Sequence, residues 1–284
     1  MSTPIPAVRV VCVVYHPGPE LARFADGLRT ASSRPFELVL VDNGDDQTVS
    51  RAVADEHGAR LVVPGRNLGY GAAANVGAMD ATAEWLVVAN SDLEWPAGSL
   101  DRLLDVAAAH PEAGAVGPAL LNTDGTVYPS ARELPSLTQG VGHAVLGRVW
   151  PGNPWTRAYQ ARQETVGVQR AAGWLSGACL VLRRRAFEQV GGFDEDYFMF
   201  FEDVDLGERL GAAGWVNLYA PQVAVTHIGG TSWRSRPAPM IRAHHASAWR
   251  YLSRRYTGWR MAPVRLVLRS GLWLREQVEL RAAR

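Results

Sequence analysis

The chain reads as an α/β protein with a mostly parallel sheet and helices on both faces. Three observations predict this. Short β-branched runs alternate with runs of helical period from Arg9 to Ala109. The first two runs, Arg9–Tyr15 and Phe36–Val41, are almost wholly apolar, as strands covered on both faces are. Turn residues follow directly on two of the runs, Asp42-Asn43-Gly44 and Asn90-Ser91-Asp92, at carboxyl ends where ligands of such sheets sit.

In order, Arg9–Tyr15 is broken by His16-Pro17-Gly18-Pro19, and Glu20–Thr30 carries Leu21, Phe24, Ala25 and Leu28 at helical spacing. Phe36–Val41 is the second strand, Thr48–His57 a helix and Arg60–Val63 the third strand. Pro64–Gly71 is a glycine-bearing loop, Ala72–Ala83 an Ala-rich helix, Trp85–Ala89 the fourth strand and Leu100–Ala109 a helix. Gly114–Leu121 is a strand, and Asn122-Thr123-Asp124-Gly125 turns it into Thr126–Tyr128. Pro129–Gln169, rich in Pro and Gly, loses periodicity; it is either a substrate-binding excursion or a variable insertion. Gly173–Ala178 leads into the strand Cys179–Leu182, and Arg183–Val190 is a short helix. Val204–Ala213 is helical, Trp215–Tyr219 and Gln222–Thr226 are two strand-like pieces, and Ala238–Tyr256 and Met261–Ala283 are helices.

With 284 residues the chain can form one large domain with additions or two small ones. The expected division is 1–230, with a nucleotide-binding half to about 120 and an acceptor half beyond, followed by a basic helical tail over 231–284. Cys12 and Cys179 lie in apolar runs and read as free thiols of a reducing compartment. Met1–Ala7 does not look like a leader, and no apolar run is long enough to span a bilayer, so a cytoplasmic location is expected. The net charge of +1 conceals opposed halves. Thr231–Arg284 holds 12 Arg against Glu276 and Glu279, and the rest of the chain is acidic. Basic helices with aromatics suit an anionic membrane surface. A solvated basic face is the plain alternative, and no nucleic-acid motif accompanies the tail.

Asp194–Leu206 concentrates acidic residues around the aromatic block Tyr197–Phe201, with Glu202 and Asp203 at a helix start. Carboxylates held among apolar rings become better proton acceptors, although an acidic helix start packed by aromatics reads equally well. Neither Gly-x-Gly-x-x-Gly nor Gly-x4-Gly-Lys-Ser/Thr occurs, so nucleotide phosphates would need another counter-charge. A divalent cation on Asp92 is the economical candidate. His227, directly after a strand, is either a structural histidine or a second ligand.

These motifs together, in this order, resemble the family 2 glycosyltransferases of the GT-A fold. They are the Val41-Asp42-Asn43 turn, Arg66-Asn67-Leu68-Gly69-Tyr70-Gly71 with Asn75, Asn90-Ser91-Asp92 in place of Asp-x-Asp, Trp174–Gly177, Glu202-Asp203 and His227. Within that family, Tyr128–Arg132, His143–Gly147, Asn153–Thr156 and Gly173–Gly177 look like the actinobacterial enzymes that add L-rhamnose to N-acetylglucosaminyl-diphospho-decaprenol and so build the linker between peptidoglycan and arabinogalactan.

The resemblance implies a Rossmann-like nucleotide half and a set of roles. Tyr15, Asp42, Arg66, Asn67, Gly69, Asn75, Asn90, Ser91 and Asp92 would bind a dTDP-L-rhamnose donor, Asp42 through the thymine ring. Asp92 and His227 would hold Mg²⁺ or Mn²⁺, and Asp203 would be the general base. Trp174, Leu175, Ser176, Gly177 and Glu202 would shape the site for a polyprenyl-diphosphate-GlcNAc acceptor at the inner membrane surface. The first carboxylate of the metal motif is replaced by Asn90, which puts more weight on Asp92 and His227. The Gln-x-x-Arg-Trp motif of processive members is missing, so one addition per acceptor is expected. The competing readings are another hexosyltransferase of the family, a non-catalytic nucleotide-sugar-binding protein, and a membrane-surface adaptor.

Overall fold

The computed structural model describes residues 7–135, 167–229 and 237–283. His143–Gly147, Asn153–Thr156 and most of the Pro129–Gln169 excursion lie outside the described residues. The strands are β1 (Val8–Val14), β2 (Phe36–Asp42), β3 (Arg60–Val62), β4 (Trp85–Asn90), β5 (Leu93–Glu94), β6 (Ala113–Leu121), β7 (Val127–Tyr128), β8 (Ala131–Arg132), β9 (Arg170–Ala172), β10 (Trp174–Leu175), β11 (Cys179–Arg183) and β12 (Val216–His227). The helices are α1 (Glu20–Ala31), α2 (Thr48–His57), α3 (Tyr70–Ala78), α4 (Ser99–Ala109), α5 (Arg184–Gln189), α6 (Glu202–Ala212), α7 (Pro237–Arg255) and α8 (Ala262–Ala282).

The main sheet runs β3-β2-β1-β4-β11-β6-β12-β5. The first four strands are mutually parallel, and β6 is parallel to β12. Between them β11 runs antiparallel to both neighbours, a direction that apolar patterning does not encode. Alternation along β1 explains the two layers. Val8, Val10, Cys12 and Val14 pack with α1, α2 and α4, and Val11 and Val13 pack with α3 and α6. The Ala-rich α3 lies close to the sheet, and a Cβ on Gly77 would stand 2.3 Å from Val11.

Two element boundaries differ from expectation. The two pieces expected at 215–226 are one strand, β12, whose register against β6 slips between Ala220 and Ala224. Pro221 lies in that slip and has no N–H for the ladder. Helix α3 begins at Tyr70 and stops at Ala78. Asp80 just beyond has a left-handed φ of 59° and is bound by Arg9 and Arg60.

The C-terminal helices also divide differently. Helix α7 buries His245, Ser247, Ala248 and Tyr251, and its arginines pair with the body: Arg250 with Asp194 and Asp196, Arg254 with Asp194, Arg255 with Glu208. Three of the tail's 12 arginines are therefore paired with carboxylates of the body. Helix α8 packs along α7 and carries the outward-facing residues.

Candidate active site

The rim at the carboxyl ends of β1 and β4 is closed by a short antiparallel bridge. β5 pairs with the end of β12, His227 opposite Leu93, which lays Asp92 beside His227. Asp92 Oδ1 is 3.1 Å from His227 Nε2, and Oδ2 accepts the Gly229 N–H at 3.1 Å. Its carbonyl accepts the Ile228 N–H at 3.1 Å. Asn90 Nδ2 also lies 3.1 Å from His227 Nε2. The carboxylate oxygen and the imidazole nitrogen thus converge on one point, where Nε2 donates to Asp92 in one tautomer and offers a lone pair in the other. Two donors in adjacent positions on an octahedral ion with bonds near 2.1 Å stand about 3 Å apart, so Asp92 and His227 fit a divalent metal. Among the described residues no third His, Cys, Asp or Glu joins them. Further ligands would have to be phosphate oxygens and water.

Asp203 and Glu202 open α6, where the helix dipole favours negative charge. Phe200 and Phe201 deliver the chain there with left-handed φ of 67° and 66°. Such values cost about 1–2 kcal/mol each in residues with a Cβ. Helix α7 holds the pair in place. His244 packs on both Phe rings, Tyr251 packs on Phe201, and Ser247 Oγ donates to the Met199 carbonyl at 2.8 Å. Gly69 receives the same loop from the other side. A Cβ there would sit 2.0 Å from the Phe198 carbonyl oxygen, which accepts the Tyr70 N–H at 3.0 Å.

The two carboxyls are differently served. Asp203 accepts N–H groups from Gly177 and from Val204, both at 2.9 Å. Burial pushes its pKa up, and these donors together with the Arg132 charge oppose the rise. Glu202 Oε2 is buried without a hydrogen-bond partner. Burial first, and the Asp203 charge second, push Glu202 up to about 8. The proton of the pair therefore resides on Glu202 and the negative charge on Asp203. Folding retains a proton on Glu202 between its usual 4.5 and about 8, so stability falls as pH rises through that window. Glu202→Gln should remove this dependence and stabilise the protein at pH 8 by about 2–4 kcal/mol, with little change near pH 4.5. Thermal melts across that range test it, and parallel pH profiles for the two proteins would contradict it.

The Asp92–His227 rim and the carboxyl pair are joined by two consecutive residues. Gly177 N–H binds Asp203, its carbonyl accepts the Tyr70 hydroxyl at 2.6 Å, and the Ala178 carbonyl accepts the Asn90 N–H at 2.9 Å. Burial, then Glu202, Cys12, Cys179 and Asp203, push the Tyr70 phenol up, and burial, then Asp92, raise the Cys12 thiol. Gly177-Ala178 thus runs between Asp203 and the end of β4.

Several expected ligand-binding residues are engaged elsewhere. Asp42 is almost fully buried, its oxygens accepting from Gly44 N–H and the Ser50 hydroxyl, so it fixes its own turn and is not presented to a base. Asn75 donates to the Phe193 carbonyl and accepts the Phe193 N–H, both at 2.9 Å, and also donates to Glu195; it fastens the entry to the acidic stretch. Leu175 points into the core beside Leu206 and Leu210 and lines no site. Ser176 donates its N–H to the Ser130 carbonyl. Asn67 bonds the Gly69 N–H, whereas Arg66 is exposed with no ion pair among the described residues. Tyr15 and Ser91 are half-buried at the rim, Tyr15 edge-on to His16. Trp174 packs on Gly207 and donates from Nε1 to the Glu133 carbonyl at 3.2 Å. Asn43, which no role anticipated, clamps the 66–69 loop through the Gly69 carbonyl and the Leu68 N–H. Arg132 was also unassigned, although its place beside Tyr128 in the motif was a signal.

Residues 9–191 match the model of Glycosyl transferase family 2. The N-acetylglucosaminyl-diphospho-decaprenol L-rhamnosyltransferase of Mycobacterium tuberculosis (strain ATCC 25618 / H37Rv) is 49% identical over 287 positions, covering 96% of this chain and 93% of that protein. The O-antigen biosynthesis protein RfbC of Myxococcus xanthus is 33% identical over 82% of this chain, which spans only 18% of that protein. Among solved structures, GalNAc-T7 with UDP, GalNAc and Mn²⁺ superposes with a TM-score of 0.61 at 14% identity, covering 87% of this chain and 48% of its own. The mannosyltransferase PcManGT of Pyrobaculum calidifontis, with GDP-Man and Mn²⁺, gives 0.56 at 22% identity, covering 98% of this chain and 73% of its own. The fold is thus that of the GT-A glycosyltransferases, and the chain belongs to glycosyl transferase family 2.

Proposed function

We propose that the protein transfers L-rhamnose from dTDP-L-rhamnose to N-acetylglucosaminyl-diphospho-polyprenol, with inversion, aided by Mg²⁺ or Mn²⁺, at the inner face of the plasma membrane. The observation that carries this reading is the hydrogen-bonded link from Asp203 through Gly177-Ala178 to Asn90, two residues before the Asp92 that meets His227. The substrates are suggested by the likeness to the mycobacterial enzyme over nearly the whole chain.

In this reading Asp203 accepts the proton of the acceptor hydroxyl as its oxygen bonds to C1 of the sugar. The bond from C1 to the diphosphate oxygen breaks, and its electron pair leaves with dTDP. The Gly177 and Val204 N–H groups keep Asp203 ionised and aimed. Glu202 stays protonated, so the base is not neutralised by a second anion beside it. A cation on Asp92 and His227, when bound, would offset charge developing on the departing diphosphate. The test is an activity matrix of dTDP-rhamnose and UDP-sugars against lipid-linked and water-soluble acceptors. Rhamnosylated lipid from dTDP-rhamnose alone is expected; a preference for a UDP-sugar would redirect the reading to another hexosyltransferase.

Membrane contact falls to α8. No helix among the described residues is long and apolar enough to cross a bilayer. On α8, Leu266, Val267, Trp273, Leu274 and Val278 are 57–71% exposed, on the side away from α7. Arg269 and Arg275 flank this apolar arc, an arrangement suited to lying in an anionic interface. Replacing both Trp273 and Leu274 by Glu should weaken partitioning onto phosphatidylglycerol-containing vesicles by about tenfold or more, with melting temperature and donor binding kept. Equal flotation of variant and wild type would remove α8 as the contact.

A further inference from the structure

Arg132 is a half-buried cation near Asp203 to which no role has been given. It lies in β8, directly opposite Trp174 of β10. Its Nε donates to the Pro129 carbonyl at 2.7 Å. The guanidinium stands 5.5 Å from the Tyr128 ring centroid and 5.6 Å from that of Trp174. Two rings and one carbonyl therefore fix its plane. Its terminal nitrogens have no hydrogen-bond or ion-pair partner among the described residues. Other half-buried arginines nearby are ion-paired, although Arg209 Nη2 and Arg250 Nε lack a hydrogen-bond partner. Arg209 binds Asp205 and the carbonyls of Val190 and Gly192, and Arg250 binds Asp194 and Asp196.

A guanidinium held rigid, half out of water, with both terminal nitrogens unpartnered among the described residues suits a bidentate phosphate oxyanion. Its place beside Trp174 indicates which one. Trp174 is three residues before Gly177, whose N–H holds Asp203, and the Arg132 charge is among those felt by Asp203. Arg132 thus stands on the side of the base, where the acceptor must lie. The Asp92–His227 pair is the counter-charge for the donor's diphosphate, and the described residues offer no second metal-ligating cluster for another.

We propose that Arg132 binds the diphosphate of the lipid-linked acceptor and makes the enzyme selective for diphosphate-linked sugars, an assignment that rests on the reading given under Proposed function. The purified full chain is assayed with two acceptors sharing sugar and lipid, one diphosphate-linked and one a neutral glycoside. Arg132→Gln should raise KM for the first by roughly 10- to 100-fold, leave the neutral acceptor within about threefold, and leave donor KM unchanged. Arg132→Lys should recover part of the loss. An equal loss on both acceptors, a rise confined to donor KM, or no change would overturn the proposal. Calorimetry with inorganic diphosphate, in excess Mg²⁺ and with dTDP filling the donor site, gives a readout independent of turnover. Binding weakened at least about tenfold in Arg132→Gln supports the assignment, and equal binding overturns it. Failure of the wild type on both acceptors would sink the rhamnosyl reading, while the calorimetry still decides the role of Arg132.

Discussion

Asp203→Asn is expected to lower turnover by roughly 10²–10⁴-fold, the usual worth of a positioned general base, while binding of dTDP-rhamnose is kept. The amide is nearly isosteric with the carboxylate. Gly177 and Val204 donate to different carboxylate oxygens, so the single amide oxygen can keep only one of the two bonds; turned toward Gly177 it preserves the Gly177-Ala178 link and leaves the Val204 N–H at the start of α6 to water. What disappears is the basic oxygen. The loss should fall on kcat, and adding Glu202→Gln should cost little more, because Glu202 already holds its proton. Near-wild-type turnover of Asp203→Asn would end the base assignment. Donor binding lost in parallel would mean that the substitution had disturbed the crevice itself.

Asp92→Ala is expected to abolish metal-dependent donor binding. In the proposed site Asp92 and His227 are the two protein ligands, and removing the charged one would leave His227 alone. Residues that only support a ligand are commonly worth 10–100-fold in metal affinity or activity, so loss of a ligand should cost at least about 100-fold. Mn²⁺ titration followed by electron paramagnetic resonance, with dTDP present, reads the site without turnover. A second, local effect is expected. The Asp92 carbonyl and carboxylate both bind the chain after His227, so the alanine variant loses the Gly229 contact but keeps the Ile228 one. His227→Ala should weaken Mn²⁺ binding without that change. Unaltered Mn²⁺ affinity in both variants would place the metal elsewhere.

The parts of this site that were legible in the sequence are those set by topology. A turn after a buried parallel strand lies on the ligand-facing rim whatever its neighbours, which is why Asn90-Ser91-Asp92 could be placed. Glu202-Asp203 was legible as acidic residues at a helix start beside aromatics. Side-chain partners were not. Nothing in the spacing of Asn75 foretells that its amide meets Phe193, far along the chain. Asp42 looks the same in sequence whether it faces a base or caps its own turn through Gly44 and Ser50. Leu175 faces the core because β10 pairs with β8, and those two-residue strands carry too little periodicity to show which face is which. The charge asymmetry alone also does not say which arginines are paired within the fold. A net charge counts Arg250, Arg254 and Arg255 but not the Asp194, Asp196 and Glu208 that they meet across the fold. The left-handed Phe200 and Phe201 are a tertiary effect, since only packing by α7 makes two such aromatics tolerable there.

The account makes Asp203 the base for a single displacement with the departing diphosphate near Asp92 and His227. The most direct measurement is the anomeric configuration of the transferred rhamnose, read from its one-bond C1–H1 coupling in lipid product made by the purified protein. Inversion relative to the donor is predicted; retention would require two displacements or a front-side route, and would contradict the role given to Asp203.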